Sequence, residues 1–174
     1  MKREGHSMQA DRMIRSGPTR RALLTLAALA AASLTGLATA TTSRVFLEVW
    51  KDPNCGCCQD WVVHLEANGF TVKVHETGNA AMRAKLGVAT QYGSCHTALV
   101  GGYAIEGHVP AREIHRLLKE KPQAIGLAVP GMPVGSPGMD GKVYGDRKDA
   151  YQVLLITRDG GARVFQSYPG NKRA

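Results

Sequence analysis

Three cysteines fall within four residues of this chain, in the segment Cys55-Gly56-Cys57-Cys58. Before them, residues 44–50 are rich in β-branched and aromatic side chains and predict a buried strand, which residues 51–54 break with turn formers. After them, residues 59–68 carry apolar side chains at helical spacing and predict a helix that ends at Asn68-Gly69. The thiols therefore lie where a strand passes into a helix, and there free backbone N–H groups and the helix dipole stabilise thiolates.

The patterns that follow predict an α/β domain. Residues 70–75 alternate apolar and polar side chains and predict a second strand, so that the first helix joins two parallel strands. Further along are a short helix from Asn79 to Leu86, strands at 97–100 and 103–106 joined by a Gly-Gly hairpin turn, and a helix at 111–120. The resulting order, β-α-β-α-β-β-α, is the thioredoxin-like layout.

A long Gly/Pro/Met loop and an appended C-terminal β-hairpin follow this layout. Residues 126–150 contain nine Gly or Pro in 25 positions, which predicts a loop without regular structure. The loop repeats Pro-Gly-Met, at 130–132 and again at 137–139. Residues 151–156 and 163–165 flank Asp159-Gly160-Gly161 and predict the terminal hairpin.

The N-terminal segment, residues 1–40, is typical of a secretory signal peptide. An uncharged apolar run follows a basic stretch and ends in Ala38-Thr39-Ala40, a small-x-small cleavage pattern. Arg20-Arg21 before the run also resembles a twin-arginine export signal, and an uncleaved membrane anchor is the alternative. We expect a mature domain of residues 41–174 without stable membrane association. Half of the net charge of +8 lies in residues 1–40 and no basic run follows, so the chain shows no nucleic-acid footprint.

The four cysteines of the chain, Cys55, Cys57, Cys58 and Cys95, point to a thiolate metal site. Cys55 and Cys58 have the C-x-x-C spacing of thiol–disulfide exchange, but Cys57 is surplus to that chemistry. Cys95 comes just before the strand at 97–100, where thioredoxin-like proteins normally have a proline that faces the dithiol. A fourth thiol at that position would close a four-sulfur pocket.

Soft sulfur ligands favour Cu(I), and a tight thiolate cluster bridges several such ions. Met132 and Met139 in the loop are candidate thioether ligands, and the alternative is that the loop folds back and buries them. Zinc is the rival metal, but it favours paired C-x-x-C spacings and only one such pair occurs here. Structural disulfides, Cys55–Cys58 with Cys57–Cys95, are a further alternative.

The histidines divide into two groups. His96 follows Cys95 directly and is a candidate nitrogen ligand or a residue that tunes the thiolates. His108 lies between a predicted strand end and a helix start and is a similar candidate. His64, His75 and His115 fall on predicted helix or strand surfaces, so we expect them to be solvated.

Six motifs of the chain together resemble the CopG-type copper-resistance family of small metal-binding proteins. They are residues 53–58, 94–97, 101–103, 106–110, 126–133 and 135–139. The resemblance extends over about residues 45–165 and implies a thioredoxin-like fold in the periplasm of a Gram-negative bacterium. It also implies a Cu(I) cluster on Cys55, Cys57, Cys58 and Cys95, and a role in interconverting Cu(I) and Cu(II) during copper detoxification.

The leading hypothesis is therefore a periplasmic copper-binding protein with multinuclear Cu(I) as its cargo. Its expected partners are copper ions and copper efflux or other periplasmic copper proteins. One alternative is a thiol–disulfide oxidoreductase, which needs only Cys55 and Cys58. Another is a passive chaperone that delivers Cu(I) to an efflux system with the same ligands.

Overall fold

The computed structural model describes residues 43–171, so the predicted leader at residues 1–40 lies outside them. Seven strands form one mixed sheet in the order β2-β1-β3-β4-β5-β6-β7. The strands are β1 (Val45–Lys51), β2 (Phe70–His75), β3 (His96–Val100), β4 (Tyr103–Glu106), β5 (Ala124–Ala128), β6 (Tyr151–Thr157) and β7 (Ala162–Tyr168). The helices are α1 (Gly56–Ala67), α2 (Ala80–Lys85) and α3 (Ala111–Glu120). None of the helices described is both long and apolar enough to span a membrane.

Strand β1 organises the core. It pairs in parallel with β2, to which α1 connects it along the chain, and it pairs antiparallel with β3. Alternate side chains of a strand point to opposite faces of the sheet, so Leu47 and Val49 lie on the same face. Both are fully buried there. Apolar residues of α1 and α3 pack in the same core, among them Trp61, Leu65, Ile114 and Leu117.

The predicted elements up to residue 120 are present in the predicted order, which confirms a mixed α/β domain. The first helix begins earlier than predicted, at Gly56 rather than at residue 59. Its apolar spacing starts only at Trp61, so the preceding turn carries no hydrophobic signal. Cys55 is the N-cap residue and Cys57 and Cys58 lie in the first turn of α1.

The glycine and proline content predicts no regular structure over residues 126–150, and this is wrong for residues 126–128. They belong to β5, which pairs in parallel with β4 and antiparallel with β6. A Cβ atom on Gly126 would lie 1.7 Å from the Ala104 carbonyl oxygen. Gly126 is thus required by close approach within the sheet rather than acting as a strand breaker. Residues 142–144 also form a short 3-10 helix.

The terminal hairpin of β6 and β7 is present as predicted, and a buried carboxylate ties it to α3. Glu113 Oε1 accepts hydrogen bonds from the Tyr168 hydroxyl at 2.7 Å and from Arg112 Nε at 2.9 Å. Arg116 lies 3.4 Å from the other carboxylate oxygen. Burial and the hydrogen bond to Glu113 raise the pKa of Tyr168 to about 12, so the phenol keeps its proton and remains a donor.

We expect Tyr168→Phe to lower the free energy of unfolding by about 1.5–3 kcal/mol, because it removes a hydrogen bond to a charged group. Tyr103→Phe is the matched control, since the Tyr103 hydroxyl donates to the neutral Pro122 carbonyl at 2.9 Å. A bond between neutral groups contributes about 0.5–1.5 kcal/mol. Urea denaturation of both variants measures the difference, and equal losses would contradict the role given to Glu113.

Candidate metal centre

The structure brings all four cysteines together. The sulfur atoms of Cys55, Cys57, Cys58 and Cys95 lie within 4.8 Å of one another. The first three are held by the start of α1, whereas Cys95 comes directly before β3. Because β3 pairs with β1, its beginning lies beside the end of β1 from which α1 departs, and His96 is opposite Lys51. Two chain segments 37 residues apart thus meet at one sulfur group.

The cysteines of this group are not equivalent. Cys55 and Cys58 form a disulfide, while Cys57 and Cys95 are free thiols. One of the two disulfides considered above is therefore present, and Cys57–Cys95 is not formed. Cys57 Sγ lies 3.6 Å from Cys55 Sγ. Reduction of the disulfide would raise the number of available thiols from two to four.

Two buried histidines face Cys95. Its sulfur lies 3.1 Å from His108 Nε2 and 3.4 Å from His96 Nδ1. His108 Nδ1 donates a hydrogen bond to the Pro137 carbonyl oxygen at 2.9 Å. Since a carbonyl oxygen only accepts, Nδ1 carries the proton and Nε2 directs its lone pair at the thiol. Cys95, His96 and His108 form a second group of ligand atoms within 4.8 Å of one another.

Burial sets the electrostatics of this second group. Burial, with the neighbouring Cys57 as the next cause, raises the pKa of Cys95 to about 12. Burial also lowers the pKa of both His96 and His108, so their rings are neutral at neutral pH. The group therefore has lone pairs available but lacks a positive charge, and a bound metal ion would supply that charge and favour the thiolate.

Packing fixes the ring of His96. It lies 4.2 Å from the Trp61 ring and meets His108 edge-on at 4.9 Å, measured between ring centroids. Trp61 is itself held by a hydrogen bond from Nε1 to the Val109 carbonyl oxygen at 2.9 Å. His96 Nε2 is buried and has no hydrogen-bond partner among residues 43–171.

A buried carboxylate holds the segment that carries Cys95. Glu106 is fully buried and accepts hydrogen bonds from the Ser94 backbone N–H at 2.7 Å and the Thr97 hydroxyl at 2.6 Å. Arg83 donates to Glu106 at 2.8 Å and to the Ser94 carbonyl oxygen at 2.5 Å. The chain is thus fixed on both sides of Cys95. Buried charged groups need this degree of pairing because an unpaired one is strongly destabilising.

The second Pro-Gly-Met segment packs against the start of α1. Gly138 has a φ of +84°, and a Cβ atom on it would lie 2.5 Å from the Cys57 carbonyl oxygen and 2.9 Å from Trp61 N. The preceding Pro137 supplies the carbonyl that orients His108. The loop therefore takes part in building the site, which the repeat of the motif alone does not reveal.

The first Pro-Gly-Met segment contacts the other side of the site. Ser94 Oγ donates to the Gly131 carbonyl oxygen at 2.5 Å, and Gly131 N–H donates to the Gly93 carbonyl oxygen at 3.1 Å. The first copy of the motif thus contacts Ser94, the residue before Cys95, and the second copy lies against Cys57.

The two methionines differ in exposure. Met139 is buried and its sulfur accepts a hydrogen bond from the Tyr144 hydroxyl at 3.5 Å. Met132 remains 52% exposed. The alternative of a loop that folds back over its methionines is therefore realised for Met139 alone, and the ligand role of both thioethers stays a prediction.

The expectation of solvated histidines is wrong for two of the three. His64 Nε2 accepts a hydrogen bond from the Ala111 backbone N–H at 3.1 Å, at the start of α3. His75 Nε2 lies 2.7 Å from a Glu48 carboxylate oxygen. Both are half-buried because neighbouring elements cover the predicted surfaces, whereas His115 is exposed as predicted.

The fold and the site together define a mixed α/β protein with a cysteine cluster suited to metal binding. The family described as "Protein of unknown function, DUF411" matches residues 92–139. The solved structure "Copper resistance protein copG- Form 1" is 52% identical, with coverage of 73% of this chain and 99% of that chain and a TM-score of 0.68. "Copper resistance protein copG- Form 2" is 51% identical, with coverage of 72% and 99% and a TM-score of 0.67.

No curated protein sequence matches this chain. The identity and coverage of the two solved structures nevertheless show that the chain belongs to the CopG-type copper-resistance family. The family assignment that rests on the six sequence motifs is thereby confirmed.

We expect Gly138→Ala to lower the free energy of unfolding by about 2–3 kcal/mol, because its Cβ atom would strain the backbone and press on α1. Gly141→Ala is the control, since a Cβ atom there meets nothing within 4 Å, and we expect a loss below about 0.5 kcal/mol. Urea denaturation measures both. A Gly138→Ala variant as stable as the control would show that the loop does not pack on α1.

We expect the alkylation rate of Cys95 in the folded disulfide form to rise about tenfold per pH unit through pH 10, because the thiolate is the nucleophile. The cause is the pKa of about 12, above the ordinary thiol value of 9.0. In denaturant the same rate should level off above about pH 9. Mass spectrometry after timed iodoacetamide treatment gives the rates, and a plateau below pH 9.5 in the folded chain would contradict the burial of this thiol.

Proposed function

We propose that this protein handles copper outside the cytoplasm and holds Cu(I) on Cys55, Cys57, Cys58 and Cys95 when the disulfide is reduced. The observation that carries this proposal is the convergence of four sulfur atoms within 4.8 Å. Soft thiolates select Cu(I) over harder ions. The copper-resistance names of the two similar solved structures support copper as the cargo.

Four thiolates in so small a volume favour a multinuclear cluster in which each sulfur bridges more than one ion. His96 and the thioethers of Met132 and Met139 are the further ligands that the sequence predicts. The exposed thioether of Met132 suits the capture of Cu(I) at the surface, and the buried Met139 suits a position beneath the loop.

The proposed setting is the periplasm of a Gram-negative bacterium. In this proposal residues 1–40 are the export signal, and residues 41–174 are a thioredoxin-like domain. The sheet order β2-β1-β3-β4, with β1 and β2 parallel and β3 and β4 antiparallel, supports that fold class.

Interconversion of Cu(I) and Cu(II) is the finer part of the proposal. Conversion of two Cu(II) to two Cu(I) needs two electrons, and oxidation of the Cys55/Cys58 dithiol to its disulfide releases two electrons and two protons. The disulfide present between these residues supports their use as this electron source. An external thiol reductant would then restore the dithiol.

The same disulfide favours a second candidate function, thiol–disulfide exchange on protein substrates. Cys55 is partly exposed at the N-terminus of α1 and Cys58 is buried behind it, as suits an attacking and a resolving thiol. This chemistry requires neither Cys57 nor Cys95. A passive chaperone that delivers Cu(I) to an efflux system would use the same four sulfurs and differ only in lacking a redox cycle.

The deciding experiment is an anaerobic Cu(I) titration of the reduced protein against a chromophoric competitor, with Cys57→Ser alongside. We expect the wild type to bind more than one Cu(I) per chain, and the variant to bind fewer ions at least about tenfold more weakly, because a bridging thiolate is lost. An insulin-reduction assay on both proteins is the companion measurement. Identical Cu(I) isotherms, together with insulin turnover by both proteins, would favour thiol exchange instead.

A further inference from the structure

Two side chains of α1 hold the turn between β4 and α3. Trp61 Nε1 donates to the Val109 carbonyl oxygen at 2.9 Å, and His64 Nε2 accepts from the Ala111 N–H at 3.1 Å. Trp61 and His64 are three residues apart, so they lie on the same face of the helix. We propose that His64 is a positioning residue: in its neutral form it fixes the turn that carries His108, and on protonation it releases that turn.

The first backbone N–H of α3 depends on His64. The N-cap residue is Pro110, whose side chain has no hydrogen-bond acceptor. Ala111 is only 2% exposed, so its N–H is largely withdrawn from water, and His64 Nε2 is its only acceptor among residues 43–171. A buried N–H without an acceptor is destabilising. The imidazole from α1 therefore takes the place of an N-cap side chain for α3.

This hydrogen bond fixes the protonation state of the ring. A backbone N–H only donates, so Nε2 is the unprotonated nitrogen of His64 and Nδ1 carries the proton. A second proton would go to Nε2, which would then direct an N–H at the N–H of Ala111. The added positive charge would also lie at the N-terminus of α3, where the helix dipole disfavours a cation. Protonation therefore opposes the contact in two ways.

The surroundings of His64 set the pH at which this happens. Burial lowers the pKa of His64 below its ordinary value of 6.5, and the negative charge of Asp140 acts in the opposite direction. The other charged or titratable groups next to the contact are Asp60, one turn earlier on α1, and Arg112 and His115 on α3. A lowered folded pKa gives stability that is fully present above the unfolded pKa and is lost as the pH falls through the folded one. The turn is therefore fixed at neutral pH and released in acid.

Release of the turn would reach the metal centre through His108. This residue lies three positions before Ala111, and its ring contacts Cys95 and the Pro137 carbonyl oxygen. A turn that is free to move would take the imidazole away from both and uncover the Cys95 thiol. For a consequence in copper binding the inference rests on the proposed function, whereas the positioning role of His64 itself requires no metal.

His115 provides a comparison within the same pair of helices. Its Nε2 donates to the Asn68 carbonyl oxygen at 2.8 Å, so it also links α3 to α1. Since a carbonyl oxygen only accepts, Nε2 of His115 already carries a proton, and a second proton would go to Nδ1. Protonation leaves this bond in place, whereas it breaks the bond at His64.

A pH titration of the full chain in its disulfide form, followed by proton–nitrogen NMR without added metal, tests the proposal. We expect the Ala111 amide signal of the wild type to shift with a midpoint below pH 6.5, at the same pH as the ring signals of His64. The protection of this amide against hydrogen exchange, relative to its intrinsic rate, should fall at least about fivefold between pH 7 and about pH 4.5. Absence of this midpoint in the wild type overturns the proposal and requires no variant.

His64→Gln is the matched variant, because the Gln side-chain oxygen can accept from the Ala111 N–H but does not titrate. We expect the protection of the Ala111 amide to change less than about twofold over the same pH range. His115→Gln is the control and should keep the wild-type midpoint. The same midpoint in His64→Gln as in the wild type would show that another group moves the turn, and the proposal would be wrong.

Alkylation of the two free thiols by N-ethylmaleimide measures whether the turn covers Cys95. Cys57 in the same chain is the internal reference, and mass spectrometry gives the two rates separately. Between pH 7 and about pH 5 we expect the ratio of the Cys95 rate to the Cys57 rate to rise at least about threefold in the wild type, and less than about 1.5-fold in His64→Gln. An equal rise in both proteins overturns the positioning role. Weak Cu(I) binding by the wild type, with these results as expected, would contradict the proposed function alone.

Discussion

The pairing of β3 with β1 is the constraint on which the metal centre depends. Three thiols are local to the start of α1, but the fourth arrives from a segment 37 residues further along the chain. Antiparallel pairing of β3 with β1 places the start of β3, with His96 as its first residue, beside the end of β1 from which α1 departs. The register of this pairing decides which side chain meets the sulfurs, since a one-residue slip would turn the neighbouring side chains to the opposite face.

Strand pairing places the segment around Cys95 only approximately, and buried polar contacts then fix its position. Glu106 on β4 binds the backbone on one side of Cys95 and the Thr97 side chain on the other, with Arg83 of α2 completing the network. An ion site needs ligands held to within a fraction of an ångström, and rigid second contacts of this kind supply that precision. The polar residues here are therefore tied to the geometry of the site as much as to the stability of the sheet.

The sequence predicts those parts of the molecule whose signal is local. Alternating strands, the glycine hairpin turn and the amphipathic α3 all form where predicted, and the C-x-C-C segment lies at a strand-to-helix junction. The sequence does not predict strand β5, because a glycine in the sequence normally indicates the end of a strand. Gly126 instead lies within the sheet, where it allows close packing against β4. The sequence names His108 and Met139 as candidates, but it predicts neither the hydrogen bond from His108 to Pro137 nor the burial of Met139 alone, since both depend on how a loop rich in glycine and proline folds back on α1. No local pattern encodes that long-range contact.

The loop between β5 and β6 departs from one strand and returns to its neighbour in the sheet. Its two ends are consequently held side by side, whatever its interior sequence, while its middle reaches across to α1 and His108. Such an arrangement makes the segment a modular insert, because the strands hold its two ends independently of the contacts that its middle makes with α1. Exchange of this one segment would therefore change which side chains cover the metal centre while the sheet and the cysteines stay the same. A chimaera joined at the ends of β5 and β6 would take these covering side chains from the protein that donates the loop.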